Sequence, residues 1–254
     1  MYRPRVIPTL LLKGQGLVKT VNFNKETYIG DPINAVKIFN DLEVDELIFL
    51  DITATNENRT LDIELINNIG DEAFMPFAVG GGFKTINDIN NAIKGGAEKV
   101  IINSELYSNK LLIKQASNKF GSQSIIVSID IKTNIFGQRI IYSHSGQKKQ
   151  KISLEEFVKD VQRLGAGEIM INSINKDGTM KGYDIELIKF VSDAVSIPVI
   201  ACGGAGKLTD FSDAYNKGNA SAVAAGSIFV YHGSRNAILI NYPDSNELRF
   251  TFQN

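Results

Sequence analysis

Along this chain, short apolar runs rich in β-branched residues alternate with longer segments whose apolar residues recur at helical spacing. That alternation belongs to βα units and a parallel sheet. It predicts strands over residues 5–12, 46–51, 77–79, 99–102, 124–130, 168–172, 199–201 and 222–224. Strands in this number predict an α/β fold of the closed (β/α)8 TIM barrel type. A length of 254 residues matches the roughly 250 that one such barrel takes, so residues 1–254 are expected to form a single domain. The rival is an open doubly wound sheet. Against it, no GxGxxG fingerprint opens the first helix, and the glycine clusters fall after late strands of each half.

Local punctuation agrees with these elements. Gly30-Asp31-Pro32 sets a capping residue before a proline, and Lys84-Thr85-Ile86-Asn87-Asp88 offers a threonine cap with an acid three residues on. Residues 138–151 alternate and contain Ser-Gly, which predicts a β-hairpin inserted after the fifth strand. After Ser227 no long amphipathic helix is visible. The eighth helix is therefore expected to be short or replaced by an extended tail.

Composition narrows the class. A net charge of -1, with 43% apolar and 22% charged residues, gives no basic surface for a nucleic acid and no hydropathy for a membrane protein. The apolar run near the N-terminus is too short for a span and has no small-residue cleavage site, so the cytoplasm is the expected compartment. A single cysteine, Cys202, excludes an internal disulfide, and next to a glycine turn it reads as a small packed apolar residue. Two histidines, His144 and His232, leave no zinc spacing, and no cofactor is expected, though carboxylate-bound magnesium stays open.

The two halves resemble each other. Pro76, Gly81, Gly82 and Glu46 recur at a constant offset of 122 positions as Pro198, Gly203, Gly204 and Glu168. A duplicated half-barrel explains the offset; the alternative is chance recurrence in a glycine-rich chain. Each half has a glycine cluster, Gly80-Gly81-Gly82 or Gly203-Gly204-Ala205-Gly206, ending a strand and opening a helix. Each is followed by a second element, Asn103-Ser104 or Gly226-Ser227. Such turns aim backbone N–H groups at the positive end of a helix dipole, where a phosphate is held, so two phosphate sites are expected. The plainer alternative is that these glycines only permit tight turns.

Aspartates at strand ends are the candidates for chemistry. Asp51, Asp130 and Asp177 lie at or just beyond the C-terminal ends, and Asp130, after an apolar strand, is the expected general acid or base. Its alternative role is loop capping; for Asp177 the amides of a turn and a phosphate contact stand equal. Superposing Leu10-Leu11-Leu12-Lys13 on Ile129-Asp130-Ile131-Lys132 sets Leu11 opposite Asp130, so one carboxylate of a symmetric pair is missing.

The motifs FLDITA, VGGGF, INS, FGSQ, SIDIK, RLGAGEI, NKDGTMKGYD, ACGGAGK and AAGSIF follow in that order. To about Phe229 the chain resembles the cyclase subunit of imidazole glycerol phosphate synthase. The resemblance implies a barrel that binds a substrate with two phosphates, receives ammonia from a glutaminase docked at the opposite face, and performs a cyclising lyase reaction. It assigns Gly82, Asn103 and Ser104 to one phosphate, and Asp177, Gly178, Gly204, Gly226 and Ser227 to the other. Asp51 also joins the substrate-binding set, and Lys19 matches the lysine of a mobile first loop, at residues 14–30. Arg5, Glu46, Lys99 and Glu168 match a charged gate for ammonia; without the family, charges at strand starts are simply solvated.

In that family the first strand ends in an aspartate where this chain has Leu11. With the altered tail carrying Ile240-Asn241-Tyr242-Pro243, the chain resembles a divergent cyclase-like branch tied to surface-polysaccharide (lipopolysaccharide) pathways. There the barrel is expected to pair with a glutaminase and supply ammonia for amidination of a nucleotide-linked sugar, with a third amidotransferase protein. Three other readings stay open: an ordinary histidine-pathway cyclase that tolerates Leu11, a non-catalytic scaffold that activates the glutaminase, and a sister isomerase of the same half-barrel ancestry.

Overall fold

The computed structural model describes residues 3–233 and 235–253. Expectations that touch Met1, Tyr2, Ser234 and Asn254, at the two ends and in the segment after Ser227, lie outside the described residues. In chain order the first half comprises β1 (Arg5–Lys13), β2 (Gly16–Val21), β3 (Asn24–Gly30), α1 (Pro32–Asp41), β4 (Leu47–Asp51), α2 (Ile63–Glu72), β5 (Phe77–Gly80), α3 (Ile86–Lys94), β6 (Lys99–Ile102) and α4 (Leu111–Phe120). The second comprises β7 (Ile125–Thr133), β8 (Arg139–Ser143), β9 (Lys148–Lys149), α5 (Leu154–Arg163), β10 (Glu168–Ser173), α6 (Ile185–Ala194), β11 (Val199–Cys202), α7 (Leu208–Asn216), β12 (Ala222–Ala225), α8 (Ser227–Val230), β13 (Tyr231–His232), β14 (Ala237–Ile238) and α9 (Ser245–Gln253).

Eight parallel strands close on themselves in the order β1-β4-β5-β6-β7-β10-β11-β12, with β12 paired to β1 and β10 to β7. The expected (β/α)8 barrel is the observed fold. Helices start where the capping chemistry places them. The Asp31 side chain accepts from Asn34 N ahead of Pro32, and Thr85 and Asp88 exchange both bonds of a capping box.

Side chains alternate inward and outward along each strand, which sorts the bore into layers. On β1, Arg5 faces the N-terminal end, Ile7 the middle, and Thr9 and Leu11 the C-terminal mouth. The middle layer is a separate apolar cluster in which Ile7, Ile48, Ile126, Met170 and Ile200 are fully buried. Each such side chain stabilises the closed barrel by about 1.5–3 kcal/mol. A second, larger cluster fills the space between strands and helices.

Strand register supports the duplicated half-barrel. Thr9 pairs with Ile48 and Leu11 with Leu50, while Ser128 pairs with Met170 and Asp130 with Asn172. The residue offsets that relate the halves in sequence therefore relate them in space.

Residues 138–151 form the expected hairpin, and it is larger than its pattern: β7 runs on past the barrel and pairs antiparallel with β8, which pairs with β9. The first loop is a β-hairpin, β2 with β3. The eighth helix, expected to be short or replaced by an extended tail, is the four-residue α8, and a further helix, α9, follows it. Leu248 of α9 is buried, Phe252 meets Tyr215 of α7 edge-on at 5.7 Å, and Tyr242 OH donates to Val6 O at 2.9 Å. No helix among the described residues is long and apolar enough to cross a membrane.

Candidate functional site

At the C-terminal mouth of the strands lies a cavity of about 360 Å³. Lys19, Asp51, Gly82, Asn103, Ser104, Asp130, Asp177, Gly178, Gly204, Gly226 and Ser227 all line it, as does Leu11. Every residue singled out for chemistry or phosphate binding is thus brought to one chamber, because strand C-termini converge on a single end of a barrel.

Two cradles face each other across it. Gly82, with φ +68°, would place a Cβ 1.9 Å from Arg59 O; Gly204, with φ +124°, would place one 2.3 Å from Gly182 O. Only glycine fits either position. Ser104 and Ser227 each open a short helical turn directly after a strand, and no side chain caps either turn. His144, from the turn between β8 and β9, leans on the first cradle: its N–H donates to Ser104 Oγ at 3.0 Å, and its Nδ1 lies 2.9 Å from Ser143 Oγ. Burial lowers the His144 pKa first, and the charges of Lys148 and Lys84 lower it further against Glu105.

The β2–β3 hairpin is folded inward over the second cradle. Asn22 N donates to Asp177 O at 2.9 Å, and its Nδ2 donates to the carbonyls of Ile174 and Asn175, both at 2.9 Å. This docking buries the Lys19 side chain, whose Nζ stands 3.9 Å from Asp177 Oδ1. Sequence motifs leave the position of this loop open; its backbone contacts with the Asp177 turn settle it as docked.

Asp130 occupies the floor. Asn103 Nδ2 donates to its Oδ2 at 2.7 Å. Burial pushes its pKa up to about 7, Asn103 holds it down, Asp177 raises it, and Asn172 lowers it again. A carboxyl poised near neutrality both gives and takes a proton, which is what general acid–base chemistry requires. Leu11 and Leu50 present only hydrocarbon to the same space. Asp51 lines the cavity with its carboxylate already bonded to Thr53 N, Ala54 N and Arg59 Nη1, at 3.0, 3.0 and 2.6 Å, so it organises the loop after β4. The Cys202 thiol belongs to the apolar layer, and burial pushes it up to about 12.

Five cavity-lining groups carry a buried polar atom without a partner: Thr9 Oγ1, Asn103 Oδ1, Tyr107 OH, Asn172 Oδ1 and Ser227 Oγ. Buried polar atoms are ordinarily bonded, which sets these five apart among the residues of the wall. Sequence reasoning missed Thr9, Tyr107, His144 and Asn172. The half-repeat was the available signal for Thr9, through its counterpart Ser128.

At the opposite end, Arg5, Glu46, Lys99 and Glu168 meet across the bore. Arg5 donates to Glu46 Oε2 and to Glu168 Oε2; Lys99 Nζ donates to Glu168 Oε1 at 2.8 Å and to Glu46 Oε1 at 3.1 Å. Each cation bridges both anions in a closed ring, and Glu46 is only 3% exposed in its side chain. Burial opposes the charge on Glu168, yet Arg5 and then Lys99 hold its pKa below the usual carboxylate range.

A closed charged ring at one end of the bore and a chamber flanked by two glycine turns at the other define the class: a (β/α)8 barrel with its pocket at the C-terminal mouth of the strands. Residues 5–235 match the model of the histidine biosynthesis protein family. The chain is 47% identical over 248 residues, 98% of it and 99% of the relative, to a protein of Pseudomonas aeruginosa provisionally named imidazole glycerol phosphate synthase subunit hisF2. It is 40% identical to the imidazole glycerol phosphate synthase subunits HisF of Alkaliphilus metalliredigens and of Streptococcus mutans, over 91% of this chain and 92% of each relative. The chain belongs to the histidine biosynthesis protein family, as a HisF-like cyclase subunit of the imidazole glycerol phosphate synthase type.

Proposed function

We propose that this chain is the ammonia-receiving subunit of a glutamine-dependent synthase, forming a heterodimer with a glutaminase docked on the end of the barrel that carries the charged ring. Ammonia enters past Arg5, Glu46, Lys99 and Glu168 and reaches the cavity. A ligand with two phosphates lies there, one held by Gly82, Asn103 and Ser104, the other by Asp177, Gly178, Gly204, Gly226 and Ser227 with Lys19 above it. Asp130 is the proton-transfer group. The ammonia serves amidination of a nucleotide-linked sugar in surface-polysaccharide synthesis, in the cytoplasm and with a third amidotransferase protein.

One observation carries this reading: the ring is complete while Leu11 stands at the register position that mirrors Asp130. Buried charges with no task are costly to keep, and an acid–base pair reduced to one member has lost typically about 10²–10⁴ in rate. A delivery route kept beside altered chemistry fits a subunit that still handles ammonia. The test is co-purification with candidate glutaminases, followed by glutamine hydrolysis assays with and without each acceptor. The expected result is a complex whose hydrolysis rises with a nucleotide-linked sugar and the third protein; absence of any glutaminase complex contradicts it.

A second reading is favoured by the names of the relatives: a histidine-pathway cyclase that works without an acid at position 11. It requires ammonium-dependent turnover of the diphosphorylated ribulosyl-formimino substrate by the unmodified chain.

A further inference from the structure

The turn between β8 and β9 closes one side of the first cradle, and two bonds hold it there. His144 N donates to Ser104 Oγ at 3.0 Å, and Ser145 Oγ donates to Ile52 O at 2.6 Å. The His144 imidazole lines the cavity beside Ser104.

The partners of the imidazole decide where its hydrogen sits. Ser143 is fully buried; Gln150 Nε2 donates to its Oγ at 2.6 Å, and His144 Nδ1 lies 2.9 Å from the same oxygen. A hydroxyl has one hydrogen to give, and Nδ1 is the acceptor beside it. Ser143 therefore donates to Nδ1, and the imidazole carries its own hydrogen on Nε2. Among the described residues no group accepts from that N–H.

The charge around this edge is positive. Lys84, just before α3, and Lys148, on β9, line the same cavity, and both act on the imidazole. Among the described residues neither lysine is in an ion pair, and Lys84 Nζ reaches only the amide oxygen of Asn58. Glu105, which acts on the imidazole in the opposite sense, accepts from Ser108 Oγ at 2.9 Å and is held by its own turn. The corner thus offers the Ser104 hydroxyl, an N–H on Nε2 and two cations short of a counter-charge. A phosphate monoester, with three strong acceptor oxygens and nearly two negative charges, matches it.

We propose that His144 is a phosphate-binding residue that donates from Nε2 to the phosphate at Gly82 and Ser104, with Lys84 and Lys148 supplying counter-charge at the rim. This rests on the first phosphate site of the reading above and adds the wall that the β8–β9 turn contributes. His144 binds as a neutral donor; Ser143 and Gln150 are positioning residues that aim its N–H.

The probe is inorganic phosphate, titrated at neutral pH and constant ionic strength into the full-length chain, with histidine ring nitrogens and backbone amides followed by NMR. His144 and His232 are the two histidines of the chain, and His232, exposed on β13, is the internal reference. The free chain is expected to show the His144 hydrogen on Nε2. Phosphate is expected to shift that N–H saturably, together with the amides of Gly82 and Ser104, and to leave His232 unmoved. Asparagine tolerates the φ of 55° at position 144 and ends short of Nε2. His144→Asn is therefore expected to weaken phosphate binding at the Gly82 and Ser104 amides about tenfold, with the thermal midpoint showing that the variant is folded. A hydrogen on Nδ1, an equal shift at His232, or unchanged affinity in His144→Asn overturns the role of His144. If the two amides saturate while His144 does not respond, the phosphate site stands without His144; if neither amide saturates, the phosphate-site reading fails as well.

Discussion

Leu11 holds on β1 the place that Asp130 holds on β7: Leu11 pairs with Leu50, Asp130 pairs with Asn172, and both line the same cavity. The apolar side chain leaves one carboxyl at these two mirrored positions, where the half-barrel symmetry provides for two. Leu11→Asp restores the pair. With ammonium and the diphosphorylated ribulosyl-formimino substrate, the native chain is expected to show no turnover above background, and the variant a gain of about 10²–10⁴. Full turnover by the native chain would refute this.

Asp130 makes stability depend on pH in a definite direction. Its folded pKa, raised to about 7, lies above its unfolded value, so between roughly pH 4 and 7 the folded chain holds a proton that the unfolded chain has released. Its contribution is fully present below the unfolded pKa and is lost as pH rises through 7. Asp130→Asn removes that loss. Thermal melts should show the variant more stable than the native chain at pH 8, with the gap closing toward pH 4. The gain is a few kcal/mol at most, since each tenfold difference in proton affinity between folded and unfolded chain is worth about 1.4 kcal/mol.

The ring is expected to be sensitive to removal of a single member. Lys99→Met leaves Glu46 and Glu168 with Arg5 alone. Urea unfolding at pH 7 should show a loss of about 3 kcal/mol, the usual effect of leaving a buried charge short of its partner. The folded pKa of Glu168 is depressed, so its contribution is present above the unfolded pKa and is lost as pH falls below it. The cost of Lys99→Met should accordingly shrink as the pH falls below the ordinary carboxylate range.

The terminal helix is structural. Leu248 is 1% exposed, and its truncation to alanine is expected to cost about 2–3 kcal/mol in urea melts without changing ligand affinity at the mouth. Tyr242→Phe removes a single bond to Val6 O and should cost about 1 kcal/mol.

The barrel and Asp130 were legible because strand periodicity sorts residues to one face, and a period of two carries Arg5, Ile7, Thr9 and Leu11 into one bore; the ring was legible only through the resemblance to the cyclase family, since charges at strand starts are otherwise read as solvated. The β2–β3 hairpin was not, since all seven residues of β3 are exposed or only half-buried and carry no apolar face. The sequence SNELRFTFQ buries only Leu248 fully, and its helix is set by packing on α7, where Phe252 meets Tyr215, which local pattern cannot report. Asn172, Tyr107 and His144 carry no motif. What marks the first two is an atom without a partner, and what marks His144 is a bond to Ser104; both are properties of the folded chain.

If the charged ring is the nitrogen inlet of this barrel, its integrity must govern how well glutamine serves as the nitrogen source. The most direct measurement compares glutamine-driven with ammonium-driven product formation in the glutaminase complex, for the native chain and for Lys99→Met. The ratio of the two rates is expected to fall at least about tenfold in the variant, with ammonium-driven turnover retained, because ammonium supplied in bulk enters at the open mouth. An unchanged ratio would mean that nitrogen reaches the cavity without passing Arg5, Glu46, Lys99 and Glu168.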